Sequence, residues 1–208
     1  NDYVANANES HRLTNAAAPL TGFAAVFGLE ETVRSLRTRV GLHLLTTKGE
    51  AGVFGADGKL SLPELQSVVH DSWAMAPVLL KDQIVGLCGA VTAVMVGNEL
   101  VETKAGCDVL AKWDGHYKTD SKGAALFREW FSEFENPNSS TVLWTTPFDV
   151  TKPIATPNKL KINGSDKAKS VAMQALGTAI ARLNKQKIPL DVALGVQQCT
   201  MKNGKRLP

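Results

Sequence analysis

The sequence predicts an α+β chain, mostly helical, with a few short edge and central strands. Three observations carry that prediction. Apolar residues recur at helical spacing in several stretches, and most of these start at a capping residue or stop at Gly or Pro. β-branched and aromatic residues gather in runs too short for helices, as in Tyr3-Val4-Ala5 and Thr141-Val142-Leu143-Trp144. Asn203-Gly204, a two-residue hairpin signal, separates Val196-Gln197-Gln198 from Lys205-Arg206-Leu207.

Taken in order, the chain opens on Tyr3-Val4-Ala5 and runs into Asn6-Ala7-Asn8-Glu9-Ser10-His11, a cluster of amide, hydroxyl and imidazole side chains. A Pro/Gly-punctuated connection, Pro19 to Phe23, follows. From Leu29 the pattern is helical, with Leu29, Val33, Leu36 and Val40 on one face. Glu30 and Glu31 fall in its first turn and Arg37 and Arg39 toward its end, the polarity that suits the helix dipole. Arg34, Arg37 and Arg39 form either a solvated face or the brace of a polar site, since guanidinium forks fix amides and carboxylates well. Thr46 to Lys59 is turn-rich. Ser61-Leu62-Pro63-Glu64 is a capping box that starts a second helix, with Leu62, Leu65, Val68 and Val69 as its apolar face. His70 beside Asp71 ends it. With no Ser or Cys nucleophile tied to it, a helix-end histidine is the favoured reading over a catalytic one.

Asp82 is the expected cap of a third helix through Ile84, Leu87, Cys88, Val91, Val94 and Met95, stopped by Gly97-Asn98. Ala105 to Trp113 makes a fourth, broken by Asp114-Gly115. Ser121 caps a fifth, whose Leu126, Phe127, Trp130, Phe131 and Phe134 read as core, being too continuous an apolar stripe to leave in water. Thr141 to Trp144 is a strand, and Pro147, Pro153 and Pro157 punctuate an irregular segment after it. Ser165 or Asp166 caps a last helix with Ala172, Leu176, Ala179, Ile180 and Leu183 on one face, and Pro189 blocks its extension.

Composition bounds the function. The 208 residues are 44% hydrophobic and 21% charged with a formal net charge of +3, ordinary for a globular chain. No Lys/Arg cluster stands clear of acidic residues, which argues against nucleic acid, and no apolar run approaches the ~20 residues of a membrane span. Beginning inside one predicted strand and stopping inside another, the chain reads as a processed piece or a fragment. The three cysteines have no C-x-x-C spacing, so a zinc site is not expected. Cys88 and Cys107 each fall on a predicted helix with a short loop between. Either they are two buried free thiols, or they form a disulfide closing a loop of about 20 residues, which stabilises by ~3 kcal/mol in the chain-entropy model. The second reading implies a periplasmic or extracellular setting.

The sequence contains no G-x-S-x-G elbow, no G-x-x-x-x-G-K-[ST] loop and no H-E-x-x-H, and His11, His43, His70 and His116 show no ligand spacing. A complete active site is therefore not visible in spacing alone. An Asn on a loop after a strand still supplies one component, a neutral NH2 donor suited to an oxyanion.

Three ordered stretches add to this. The first runs from Asp2-Tyr3-Val4-Ala5-Asn6-Ala7-Asn8-Glu9-Ser10-His11 through Ala18-Pro19-Leu20-Thr21-Gly22-Phe23 into Arg34-Ser35-Leu36-Arg37-Thr38-Arg39-Val40-Gly41-Leu42. The second is Gly106 to Asp114 with Asp120 to Trp130, and the third is Ile188-Pro189-Leu190-Asp191-Val192 with Asn203 to Pro208. Together they resemble the penicillin acylase family of N-terminal-nucleophile amidases, in particular its aculeacin A acylase and acyl-homoserine-lactone acylase branch. The resemblance implies a four-layer αββα sandwich, of which residues 1–208 would be an internal segment of the large chain and not an independent domain. It implies a nucleophilic Ser freed by autocatalytic cleavage, whose α-amino group acts as base. Residue 1 here is Asn, so that Ser is expected on a companion segment of the same precursor. It implies an oxyanion hole made of a backbone N–H and an Asn amide, which falls on Asn8, supported by Arg34 or Arg37. The substrate would be a small N-acylated amide: a long-chain acyl-homoserine lactone, a lipopeptide or a penicillin-like compound. The protein would be a periplasmic or secreted heterodimer. No cofactor is implied. No metal is expected either, because the calcium-binding carboxylate of classical penicillin acylases has no counterpart between Leu13 and Phe23. Two departures stand out: Arg12 replaces an aromatic residue of the branch, and Leu194-Gly195-Val196 lacks an acidic residue after the Gly. A helical binding or structural module of acylase-like fold, without chemistry, is the alternative.

Overall fold

The computed structural model describes residues 3–9, 14–47, 57–162, 167 and 170–207. Among the described residues are seven α-helices and three two-stranded sheets, the α+β architecture expected of a penicillin acylase piece. Two compact units divide the chain, one of Asn1–Met75 with Thr146–Pro157 and one of Ala76–Thr145 with Asn158–Pro208.

The first unit carries helix α1 (Leu36–Thr46) and helix α2 (Leu62–His70). Helix α1 starts at Leu36 and not at Leu29. Glu31 has φ +54, a left-handed backbone that no α-helix accommodates, and Ser35 caps instead, its hydroxyl accepting the Thr38 N–H at 3.1 Å. Among the described residues a 3-10 turn, Ala25–Phe27, precedes it. Arg39 is 1% exposed, and its guanidinium donates to the carbonyls of Ile154 at 2.7 Å and Pro157 at 2.8 Å, tying α1 to the 146–157 segment. Burial pushes its pKa down to about 10, which still leaves it cationic at neutral pH. Helix α2 has the expected capping box in full, with Glu64 Oε2 accepting the Ser61 N–H at 2.7 Å. Ser72, with φ +56, stops the helical path after it.

The second unit is built on helix α6 (Val171–Lys185), one face of which is buried from Ala172 to Leu183. It packs on a hairpin of β1 (Ala93–Val96) and β2 (Glu99–Glu102) and on helix α5 (Ala124–Phe131). The hairpin corrects an expectation. Helix α3 (Met75–Cys88) begins before Asp82, which lies inside it, and ends at Cys88, so Val94 and Met95 belong to a strand. Gly97-Asn98 is its two-residue loop, with Gly97 at φ +59 as such a turn requires. Helix α4 (Lys104–Lys112) follows within two residues, and Cys107 on it is joined to Cys88 by a disulfide with Cα atoms 6.0 Å apart.

Helix α5 is capped by Gly123 at φ +110 and not by Ser121, whose hydroxyl accepts the Lys118 N–H. Its aromatic face is core: Phe127 and Trp130 are fully buried, and Trp130 Nε1 donates to Ala172 O of α6 at 2.9 Å. The strand expected at Thr141–Trp144 forms slightly later, as β3 (Trp144–Thr146), and pairs with an unexpected β4 (Asn158–Leu160). Ser165 and Asp166 lie outside the described residues; Ser170 caps α6, its side chain accepting from Met173 N. Val196-Gln197 lies in a short helix α7 (Leu194–Gln197), not a strand. The hairpin at Asn203-Gly204 joins β5 (Thr200–Lys202) to β6 (Lys205–Leu207), both loop residues taking positive φ as a type I′ turn demands.

Candidate functional site

The Asn-rich loop and the start of α1 belong to the same unit, and side chains of each bond to the other. No strand forms at Tyr3–Ala5 among the described residues; one ladder-like bond, Ala5 N–H to Thr14 O at 2.8 Å, closes the base of the loop. Asn15 Nδ2 donates to Tyr3 O at 3.2 Å and strengthens that closure. Above it, Asn6 Oδ1 accepts the Asn8 N–H at 2.8 Å, an Asx turn that bends the backbone locally. Asn8 takes φ +63, a left-handed conformation that Asn tolerates better than most residues.

Helix α1 then fixes the Asn8 side chain. Arg37 Nη2 donates to Asn8 Oδ1 at 2.9 Å and also to Ala7 O. A guanidinium carries only donors, so the Asn8 atom facing it must be the amide oxygen. That contact sets which way the amide is turned and leaves Nδ2 as its donor end. Glu9 Oε1 accepts the Ser35 N–H at 2.7 Å, satisfying a donor at the N-terminus of α1, where a helix favours negative charge. Arg34 lies before the cap and is 3% exposed. Burial lowers its pKa, and the charges of Glu9 and Tyr3 oppose that shift. Arg34 and Arg37 therefore do different things: among the described residues it is Arg37 that hydrogen-bonds Asn8, and Arg34 sits beneath as a buried cation. Ala5, Asn6, Ala7, Glu9, Thr38, Gly41 and Leu42 line a pocket between the loop and the helix.

Chemically, this arrangement can present a neutral, non-titrating N–H donor held by a charged brace. Ser10, His11 and Arg12 lie outside the described residues. His70 is exposed at the end of α2, and His43 stacks on Trp73 with ring centroids 5.2 Å apart. His116 Nδ1 lies 3.6 Å from the Asp114 carboxylate, within one loop. Among the described residues no three His, Cys, Asp or Glu side chains are grouped to hold a metal, and no helix is long and apolar enough to cross a membrane. Two contributors were not anticipated from sequence. Ser35 had a readable signal, a hydroxyl residue just ahead of an apolar-periodic run; Glu9 had none, because its partner is 26 residues away.

Comparison with known proteins identifies relatives of this chain. A family model described as Penicillin amidase matches residues 1–203. The chain is 36% identical over 158 residues to aculeacin-A acylase of Actinoplanes utahensis, covering 75% of this chain and 19% of that protein. It is 26% identical over 208 residues to the acyl-homoserine lactone acylase PvdQ of Pseudomonas syringae pv. syringae, covering 100% of this chain and 25% of that protein. Against PvdQ of Pseudomonas putida the identity is 27% over 179 residues, covering 85% of this chain and 20% of that protein. The chain thus spans about a fifth to a quarter of the length of these curated relatives.

Proposed function

This chain belongs to the penicillin amidase family, and on that premise we propose that it is part of an acylase that hydrolyses the amide bond of an N-acylated substrate. The chain supplies the side-chain half of the oxyanion hole. The nucleophile is an N-terminal Ser on a companion segment of the same processed precursor. Its hydroxyl attacks the substrate carbonyl, its α-amino group takes the proton, and the carbonyl oxygen becomes an oxyanion. Asn8 Nδ2 donates to that oxyanion. The proton then passes to the leaving amine, and water releases the acyl group by the same steps.

The observation that supports this reading is the Arg37 bond to Asn8 Oδ1, which occupies the amide's acceptor and leaves Nδ2 as its donor end. A preorganised donor stabilises charge only as it develops, which lowers the barrier without tightening the ground state. The named relatives act on aculeacin A and on acyl-homoserine lactones, so the substrate class is a long-chain acyl amide of a lipopeptide or lactone; the family's description adds penicillin-like amides as a second class. The Cys88–Cys107 disulfide supports an oxidising compartment, periplasmic or extracellular. The test is Asn8→Ala in the full-length protein. Loss of one oxyanion donor lowers turnover on the order of 10²–10³-fold. Turnover within a few-fold of wild type would return the chain to the role of a scaffold without chemistry.

A further inference from the structure

Glu9 directly follows Asn8, and its carboxylate is directed to the start of α1. We infer that Glu9 is a positioning residue that holds Asn8 in its donor geometry, an inference that rests on the oxyanion role proposed above.

Two contacts from one helix end bracket Asn8. Arg37, in the first turn of α1, holds Ala7 O and Asn8 Oδ1, and Ser35, the cap of α1, gives its N–H to Glu9 Oε1 at 2.7 Å. Residues 7, 8 and 9 are therefore fixed in sequence by residues 37 and 35. Such bracketing matters because Asn8 sits at φ +63. Asn tolerates that region better than most residues but still at some cost, and bonds on either side hold it there. The second support for Glu9 lies beneath the loop. The Arg34 cation is 3% exposed and attracted by the Glu9 carboxylate. Glu9 Oε2 and Arg34 Nε are both shielded from solvent without a hydrogen bond of their own. Taking the carboxylate away removes the acceptor for Ser35 N–H and leaves a buried cation without its counter-charge, and both losses free the backbone next to Asn8. Glu9 touches none of the reacting atoms in this account; it acts through Asn8.

The experiment is a double-mutant cycle in the full-length protein, with wild type, Glu9→Ala, Asn8→Ala and the double variant assayed on a chromogenic long-chain acyl amide. Glu9→Ala is expected to lower kcat about tenfold with KM within twofold. In the Asn8→Ala background the same substitution is expected to cost less than twofold, because the group it positions is already gone. Glu9→Gln keeps an acceptor for Ser35 N–H but not the charge, and falls between Glu9→Ala and wild type. Should Glu9→Ala not accumulate as folded protein, Glu9→Gln carries the cycle with the same pattern. A Glu9 effect of equal size in both backgrounds, or a kcat within twofold of wild type for both Glu9 variants, overturns the inference. Unchanged turnover in Asn8→Ala alone refutes the oxyanion role itself, so the two failures are told apart.

Discussion

Replacing Arg37 by Ala tests how the donor is held. The guanidinium makes two bonds to the loop, one to Ala7 O and one to Asn8 Oδ1 at 2.9 Å. A hydrogen bond to a charged group contributes about 1.5–3 kcal/mol where water is excluded. Arg37 is exposed, so water competes for its N–H groups and the lower end applies. About 1.5 kcal/mol of lost positioning corresponds to roughly a tenfold fall in rate, since each ~1.4 kcal/mol is a factor of ten. On the proposed oxyanion role the loss falls on kcat, with KM little changed, because such a donor acts on charge that develops only in the transition state. Arg37→Lys restores part of the rate: an ammonium keeps the charge but has no rigid fork to bridge both oxygens. The assay is steady-state hydrolysis of an acyl amide by the full-length protein. A kcat for Arg37→Ala within twofold of wild type, or a loss seen entirely in KM, would refute the reasoning.

Two other outcomes follow from the second unit. A Cβ built on Gly177 would lie 2.2 Å from Val94 Cγ2, in a strand residue that is 3% exposed, and 3.1 Å from Val96 Cγ2. Gly177→Ala gains about 1 kcal/mol of helix propensity, but forcing α6 off the hairpin costs up to about 3 kcal/mol; a net loss near 2 kcal/mol, read from the denaturant midpoint, is expected, and a raised midpoint would contradict the packing. The Cys88–Cys107 bond spans 19 residues of sequence. Replacing both with Ala lowers stability by about 3 kcal/mol in the chain-entropy model, and reductant then has no further effect on the denaturant midpoint; an unchanged midpoint would show that the cross-link adds nothing.

The parts of the fold legible in sequence were those where local chemistry decides. Ser61-Leu62-Pro63-Glu64 starts a helix because its own side chains close both capping bonds. Asn203-Gly204 turns a hairpin because both residues accept positive φ. The faces of α5 and α6 were read from apolar spacing and proved largely buried. The failures have a common cause in tertiary contacts. Val94 and Met95 fit a helical spacing as well as a strand, and their strand packs on α6 at Gly177, 83 residues beyond Val94, a contact that local sequence does not reveal. Within the site, Asn8 was reached only by resemblance. Arg34 and Arg37 were inseparable while the helix was placed from Leu29, because three residues apart they share a face. With Ser35 as the cap, Arg34 falls outside the helix and turns inward, and only Arg37 is carried on the first turn toward Asn8.

In the proposed role, Asn8 Nδ2 recognises a tetrahedral oxyanion in preference to a planar carbonyl. Binding measurements on the full-length protein and its Asn8→Ala variant test this without turnover. One probe is a long-chain alkyl boronic acid, which forms a tetrahedral, anionic adduct with a serine nucleophile; the other is the fatty acid of the same chain length. Asn8→Ala is expected to weaken the boronate on the order of 100-fold, with the fatty acid changed less than threefold. Equal weakening of both, or of neither, would contradict it.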